Sequence, residues 1–323
     1  RRSIRDMLEL AVRVESFPTA TQLQANVLEI RMIERYRPRY NRRSSRPERT
    51  PWVRLTDEAY PRLSVVRSVS GDSTHIGPMR GAGDAKLAIE ALHELGGVRT
   101  CTTRLPVVPR RGARACLLAD LGSCSAPCLH GAASGYGDVA SALRDAIVGD
   151  PSPVVEALAA RISGFAERLE FERASALRDG VSALVAGAAE AQRLAALRRV
   201  TIIAARPAGG AWEVAVVERG RLAGTACVQG GAAVAAAAAR ILGDDLSGAD
   251  AGVAAAGGGA VPLIEEQQLI AAWLERPGTR LVSVDGEWAQ PVAGAARHAM
   301  WIDARREDRE RVWDAYARSA SGA

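Results

Sequence analysis

Several kinds of sequence feature are missing from this chain of 323 residues, and each absence excludes a class of protein. No apolar run approaches the ~20 residues of a membrane-spanning helix, so we predict a soluble protein with no membrane partner. No glycine-rich nucleotide loop, GxSxG motif or HExxH motif occurs, which argues against nucleotide hydrolases, serine hydrolases and zinc proteases. The chain starts at Arg1 without a signal peptide's apolar stretch, so we expect a cytoplasmic chain that begins inside a domain.

Cysteine is scarce, and its five copies are an odd number. Without a secretory signal, thiols in a reducing cytoplasm stay free or bind metal. Four lie near one another in sequence, namely Cys101, Cys116, Cys124 and Cys128, while Cys227 stands apart. Four thiolates could hold an iron–sulfur cluster or a tetrahedral zinc ion, with His130 as a substitute zinc ligand. The spacing fits neither a zinc ribbon nor a ferredoxin run, and buried inert thiols are the structural alternative.

Lysine is almost absent, since Lys86 is the only lysine among 42 basic residues. The net charge of +5 and the pI near 9.2 permit nucleic-acid binding without demonstrating it. The arginines are dense in one segment, which also holds Tyr40 and Asn41: Arg37, Arg39, Arg42, Arg43, Arg46 and Arg49. Because the planar guanidinium binds phosphate through two parallel hydrogen bonds, this segment favours a polyanion. A solvated basic loop is the alternative.

The arginine segment follows a predicted helix that carries one carboxylate among apolar neighbours. At helical spacing, Glu29 shares its face with Ala25, Met32 and Ile33, which predicts a half-buried carboxylate that needs a partner. A structural ion pair, for example to Arg35, would satisfy it. The pairing of this carboxylate with the arginines equally suggests metal-assisted chemistry on a phosphate backbone.

The remaining pattern predicts an α+β chain of two or three domains. Helices are expected at about 2–14, 20–36, 84–95, 262–274 and from about 304, and strands at 52–56, 62–69, 74–77, 201–206, 211–218, 221–228 and 279–285. The segment 101–128 is expected to be irregular, and the structure of the Ala/Gly-rich stretch 230–260 stays open.

Residues 151–197 predict an antiparallel helical hairpin. Apolar residues repeat at helical spacing on both sides of a break at Glu170–Glu172: Leu158, Ile162, Phe165 and Leu169 before it, and Leu177, Val181, Leu184 and Ala188 after it. A hairpin this short cannot bury the apolar stripes that these two sets of residues form on its helices. It therefore docks either on a partner or on its own chain.

Four segments in order resemble the UvrC family, the nuclease subunit of bacterial nucleotide excision repair. LEIRMIERYRPRYN resembles the end of the GIY-YIG nuclease domain, and PWVRLT, YPRLSVVR and HIGPM resemble the segment that follows it. RTCT and ACLLADLGSCSAPC are similar to the family's cysteine region. FERASALRD at 171–179 is similar to the UVR motif, the helical hairpin by which such proteins contact UvrB.

The resemblance implies four domains: the C-terminal half of a GIY-YIG domain at 1–50, a linker domain with the cysteine cluster at 51–150, a UVR hairpin at 151–198, and an α+β domain at 199–323. In the last domain the strand Thr201–Arg206 lacks the aspartate of UvrC's second, RNase H-like nuclease, and no helix-hairpin-helix pattern occurs. We therefore expect a degenerate or RNase H-like remnant without the second incision activity. This pattern resembles actinobacterial relatives in which a DEDD-type exonuclease precedes a UvrC-like region.

The resemblance also implies roles for particular residues. Glu29 would bind Mg²⁺ or Mn²⁺, while the family's tyrosines and catalytic arginine would precede Arg1, so this chain alone would lack a complete active site. DNA would contact Arg37, Arg39, Tyr40, Asn41, Arg42 and Arg43. Cys101, Cys116, Cys124 and Cys128 would hold a [4Fe–4S] cluster. A UvrB-like protein would contact Phe171, Glu172, Arg178 and Asp179.

The function expected from the resemblance is metal-dependent incision of damaged double-stranded DNA in nucleotide excision repair and the SOS response. The alternative is a non-catalytic scaffold that binds DNA and a UvrB-type partner and positions an appended DEDD exonuclease.

Overall fold

The computed structural model describes residues 2–40, 50–69, 74–121, 124–243 and 262–303. The chain divides into two compact units: Arg1–Pro47 with Arg193–Ala289, and Glu48–Gln192 with Gln290–Ala323. The predicted mixture of helices and strands is confirmed, whereas the four domain bounds stay predictions. Within the described ranges, no helix is long and apolar enough to cross a membrane.

The described elements follow one another as helices and strands of ordinary length. The helices are α1 Arg2–Leu10, α2 Gln22–Tyr36, α3 Ala82–Glu94, α4 Leu117–Asp120, α5 Pro127–His130, α6 Tyr136–Val148, α7 Ser152–Glu167, α8 Phe171–Leu197, α9 Ala233–Leu242 and α10 Ile264–Leu274. The strands are β1 Trp52–Leu55, β2 Leu63–Val66, β3 His75–Ile76, β4 Thr201–Ala208, β5 Ala211–Glu218, β6 Arg221–Val228 and β7 Arg280–Asp285.

The first unit is built on an antiparallel sheet in the order β6-β5-β4-β7. Two-residue turns join β4 to β5 and β5 to β6, at Gly209-Gly210 and Arg219-Gly220, and all four residues have positive φ. This is the geometry of type I′ hairpin turns, whose twist matches that of the strands and which favour glycine. The predicted bounds of the strands at 211–218 and 221–228 are confirmed.

Both faces of this sheet are covered by helices, which explains why β5 is apolar almost throughout. Ala215 and Val217 belong to the core that α2 and α10 complete on one face. Val214 and Val216 belong to a second core beneath α9. Successive side chains of a strand point to opposite faces, so a strand that is buried on both sides reads as a continuous apolar run.

The second unit holds the smaller antiparallel sheet, in the order β2-β1-β3, and one large core. Both stripes of the hairpin α7–α8 contribute to that core together with α3 and β1, so the hairpin docks on its own chain. Leu169 is the exception, because α7 ends at Glu167 and Leu169 lies in the turn, 73% exposed.

The structure differs from the sequence-based expectation in two helices, and it shows a helix in the stretch whose structure the sequence left open. Helix α6 was not predicted, because its many small and polar residues obscure the spacing of the buried Leu143 and Ile147. Helix α1 ends at Leu10 instead of near residue 14, and the Ala/Gly-rich stretch contains α9. The helix expected from about residue 304 lies outside the described residues.

Candidate functional site

Glu29 lies on the exposed side of α2, so the expectation of a half-buried carboxylate is wrong. The buried face of this helix is formed by other positions: Leu23, Gln24, Val27, Leu28, Arg31 and Ile33. The helix packs on the sheet through Val27, and Glu29, two residues along, is rotated away from that contact by about 200°. The carboxylate is therefore open to solvent and to a hydrated cation.

The buried ion pair of α2 is made by Arg31 with Glu266 of α10. The Nη2 of Arg31 lies 2.6 Å from Oε1 of Glu266, and the Nε of Arg31 donates to Oε2 of Glu266 at 3.1 Å. Both side chains are about as buried as the apolar core, with 3% and 2% exposure. The backbone N–H of Leu222 donates to the same carboxylate, and the carbonyl of Leu222 accepts from Arg31. Nothing in the sequence near residue 31 pointed to a partner 235 positions away.

The start of the basic segment is described, and it ends α2 where the proline predicted. Arg37 adopts a left-handed conformation with φ of 45°, and its N–H donates to the carbonyl of Ile33 at 2.8 Å. Arg37 and Arg39 are exposed, and the guanidinium of Arg39 lies 5.8 Å from the ring centre of Tyr40. The other predicted DNA contacts, Asn41, Arg42 and Arg43, lie outside the described residues.

Among the four clustered cysteines, Cys124 has a thiol that is perturbed by its surroundings. Burial raises the pKa of the Cys124 thiol, a hydrogen bond from the backbone of Ala126 opposes this, and the thiols of Cys101, Cys116 and Cys128 raise it further. Cys227 lies exposed in β6, in the other unit. However, no three Cys, His, Asp or Glu side chains in the described ranges are grouped so that they could hold a metal ion. Electrostatic influence reaches farther than a metal–sulfur bond, so both findings hold together, and a metal at these cysteines stays a prediction.

A fully buried arginine that the sequence analysis missed organises the start of the cysteine segment. Arg99 donates to the carbonyls of Tyr60, Cys101 and Thr103 at 2.7–2.8 Å, and to the sulfur of Cys101 at 3.3 Å. Its Nη2 lies 2.8 Å from Glu58 Oε2. These bonds hold the cysteine segment against the loop that follows β1.

Tyr136, at the start of α6, strengthens the same connection. Its hydroxyl accepts from the backbone N–H of Arg99 at 3.1 Å and donates to the carbonyl of Pro61. Its ring meets that of Tyr60 edge to face, with centroids 5.9 Å apart. Burial raises the pKa of the Tyr136 hydroxyl, so it remains a neutral donor.

The turn of the hairpin presents an exposed aromatic side chain, as the resemblance implied. Phe171 is 62% exposed and Glu172 is exposed, whereas Phe165 and Leu177 are buried. Arg178 and Asp179, about two turns further along α8, are half-buried.

Close contacts fix this turn. The N–H of Glu170 donates to the carbonyl of Phe165 at 2.9 Å, and its carboxylate accepts from Arg168 and Arg173. The guanidinium of Arg173 also lies over the ring of Phe165, 4.1 Å from its centre. Phe171 is thus displayed on an ordered turn instead of closing the local core.

Comparisons with known proteins identify the middle of the chain. Residues 50–136 match the family described as the middle domain of the UvrC/Cho excinucleases. This range contains the smaller sheet, α3 and all four clustered cysteines. No solved structure gives a significant match.

Relatives extend the similarity over most of the chain. A provisionally named bifunctional exonuclease/endonuclease protein of Mycobacterium tuberculosis is 35% identical over 308 residues, which cover 93% of this chain and 47% of that protein. UvrABC system protein C of Symbiobacterium thermophilum is 36% identical over 183 residues, 55% of this chain and 28% of the relative. The same protein of Carboxydothermus hydrogenoformans is 32% identical over 225 residues, which cover 68% of this chain and 36% of that relative. The chain thus spans less than half the length of these relatives, and its residues 50–136 match the middle domain of the UvrC/Cho excinucleases.

Proposed function

We propose that this chain is part of a cytoplasmic UvrC-like DNA repair nuclease of the GIY-YIG type, to which it contributes one metal ligand and surfaces for DNA and a partner. The observation that carries the proposal is the match of residues 50–136 to the excinuclease middle domain. The metal-dependent incision of damaged DNA would need further residues, so the 323-residue chain alone should not incise.

Glu29 is the proposed ligand for Mg²⁺ or Mn²⁺. Mg²⁺ keeps several waters and binds through one or two carboxylates plus substrate phosphates, so a single exposed carboxylate suits it. The bound metal would polarise the scissile phosphate. Arg37 and Arg39 are exposed just after the same helix, and in this proposal their guanidinium groups contact neighbouring phosphates.

The test of this function is Mg²⁺-dependent incision of a damaged duplex by the native-length protein. Glu29→Gln should abolish incision without loss of folding, because Glu29 is exposed and supports no core contact. Glu34→Gln, on the same helix, is the matched control and should incise normally. If Glu29→Gln incises as well as the wild type, the proposed ligand role is wrong.

The four clustered cysteines are proposed to hold a [4Fe–4S] cluster, with zinc as the second candidate. The support for this proposal is the clustering of the four cysteines in the sequence and the softness of thiolates, which suit either metal. Iron analysis after anaerobic purification should give iron in the wild type and in Cys227→Ser, and none in Cys124→Ser. Zinc instead of iron would support the second candidate, and loss of metal in Cys227→Ser alone would contradict both.

The hairpin turn is proposed as the contact for a UvrB-like partner. An ordered, exposed aromatic side chain next to a charge is typical of an interface anchor, since its burial on binding stabilises the complex. Phe171→Ala should weaken binding in calorimetry by at least about tenfold while leaving the melting temperature unchanged. Unchanged affinity together with a lower melting temperature would instead assign Phe171 a structural role.

The second candidate is a non-catalytic scaffold that binds DNA and the same partner and positions an exonuclease. The ordered display of Phe171 favours it, because partner binding needs no complete active site. The incision experiment with Glu29→Gln distinguishes the two candidates. A scaffold would give no metal-dependent incision even as the native-length wild-type protein, whereas a nuclease would.

A further inference from the structure

The exposed side of the smaller sheet carries a pocket that none of the roles above explains. It encloses about 680 Å³, within the usual range for small-ligand sites, and lies in the second unit. Residues from β1, from the loops around it and from α6 line the pocket. Most of its lining is polar, and the prominent charged groups are guanidinium groups.

The alternation of side chains along β1 creates this polar face. Val53 and Leu55 belong to the core under the hairpin. Arg54 and Thr56 therefore point to the other side of the sheet. Arg54 pairs across the strands with Ser64 on β2 and His75 on β3, so no large apolar side chain lies directly beside it.

Two of the lining arginines have hydrogen-bonding capacity that the protein does not use. The Nε atoms of Arg54 and Arg62 are buried, and neither has a hydrogen-bond partner in the described part of the chain. The nearest acid to Arg62 Nε is Glu58, whose Oε1 lies 3.7 Å away. A buried donor without an acceptor is costly, and a bound anion is one group that would supply the acceptor.

The balance of charge selects the sign of that ligand. The lining includes Arg54, Arg62, Arg104 and Arg144 against the carboxylates of Asp57 and Glu58. Glu58 already forms an ion pair with the buried Arg99 at 2.8 Å and accepts from Thr56 at 2.6 Å. The free charge of the pocket is therefore positive, and guanidinium groups recognise phosphate with particular geometric fit.

We propose that this pocket is a phosphate-ester site that binds the backbone of a nucleic-acid strand. Its Arg54 and Arg62 would hold one phosphate at the sheet, while the exposed Arg104 and Arg144 would contact its neighbours. Such contacts position a strand without reading its sequence. That the phosphate belongs to DNA rests on the proposed function. That the pocket binds phosphate rests on its own arginines and is independent of the proposed function.

The experiment uses the 323-residue chain and two probes. Pyrophosphate is added in a thermal-shift assay, and a labelled single-stranded oligonucleotide is titrated in fluorescence anisotropy. The pocket variants are Arg54→Gln and Arg104→Gln, and the latter is exposed, so its folding is not at risk. Arg161→Gln on α7, exposed and outside the pocket, removes the same charge as a matched control.

Pyrophosphate should raise the melting temperature of the wild type and of Arg161→Gln, but not that of Arg54→Gln. The oligonucleotide should bind both pocket variants about tenfold more weakly than the control, and pyrophosphate should compete with it. If both probes bind all variants alike, the pocket is not a phosphate site. If only the pyrophosphate effect depends on the pocket, the phosphate site stands and DNA as its source is overturned. If the wild type binds neither probe, the pocket proposal falls, while the Glu29 incision test still decides the proposed function on its own.

Discussion

At the scale of single residues, buried guanidinium nitrogen atoms in this protein meet two different environments. Arg31 and Arg99 use their guanidinium groups on carboxylates and carbonyls within the fold. Arg54 instead carries a buried Nε with no partner among the described residues. The first kind stabilises the fold, whereas the second costs stability and is explained by a function outside it.

We therefore expect Arg54→Met to raise the free energy of unfolding by about 1 kcal/mol, because it removes an unsatisfied donor and keeps the aliphatic stem. Urea denaturation of the purified chain measures this change. Arg161→Met, at an exposed position, should leave the midpoint unchanged. A clear loss of stability in Arg54→Met would show that the arginine has a structural partner.

At the scale of elements, two glycines let α8 approach its neighbours closely. A Cβ on Gly180 would lie 2.7 Å from both the Cβ of Ala91 and the carbonyl oxygen of Leu87 on α3. A Cβ on Gly187 would overlap the sulfur of Met79. The two glycines are seven residues apart, so they lie on the same face of the helix. The packing of the hairpin on its own chain depends on that face.

Alanine substitutions should rank these contacts. Gly180→Ala should destabilise by about 1–3 kcal/mol, since rigid backbone opposes the new methyl, and Gly187→Ala by less, because the flexible Met79 side chain can move. Gly164→Ala on α7 should stabilise by about 0.5–1 kcal/mol through helix propensity, as its Cβ would meet only Arg168 Nη1 at 3.4 Å. Thermal denaturation of the three variants checks the order, and equal effects at positions 180 and 164 would contradict it.

The contact between α2 and α10 depends on the buried pair Arg31–Glu266. Arg31→Met should cost about 3–5 kcal/mol, because it leaves Glu266 buried without its charge partner. The double variant Arg31→Met/Glu266→Leu should recover much of that loss, since a well-packed apolar pair can replace a buried ion pair. A double-mutant cycle by chemical denaturation measures the coupling. Additive losses would mean that the two side chains act independently.

At the scale of the whole molecule, the positive charge is modest and its placement matters more than its sum. The net charge is +5, and the densest group of arginines in the sequence is the basic segment after α2, from Arg37 to Arg49. Non-specific binding to DNA depends on the number of phosphates that are contacted, which a salt titration reports directly.

Replacing Arg37, Arg39, Arg42 and Arg43 with glutamine should flatten the log–log salt dependence of duplex binding by about 0.9 for each lost contact. A control that removes four exposed arginines elsewhere, Arg5, Arg13, Arg161 and Arg240, has the same net charge and should keep the wild-type slope. Equal slopes in both variants would assign the binding to overall charge instead of this segment.

The sequence by itself determined the local elements and the family. The apolar run of β5 and the two apolar repeats of the hairpin are short-range patterns, so these strands and helices could be predicted from neighbouring residues. The ordered motifs likewise indicated the family, and the exposed Phe171 followed from its position in one of them. Helix α6 was missed because its pattern is weak even locally.

Only the tertiary structure decided which polar side chains are buried and what they meet. Helical spacing could place Glu29 among apolar neighbours, but the direction in which α2 packs left it exposed and buried Arg31 against Glu266. The pocket likewise joins Arg54, Arg104 and Arg144 from three separate elements or loops. Local periodicity is set by backbone geometry within a few residues, whereas these contacts depend on long-range packing, which no short pattern encodes.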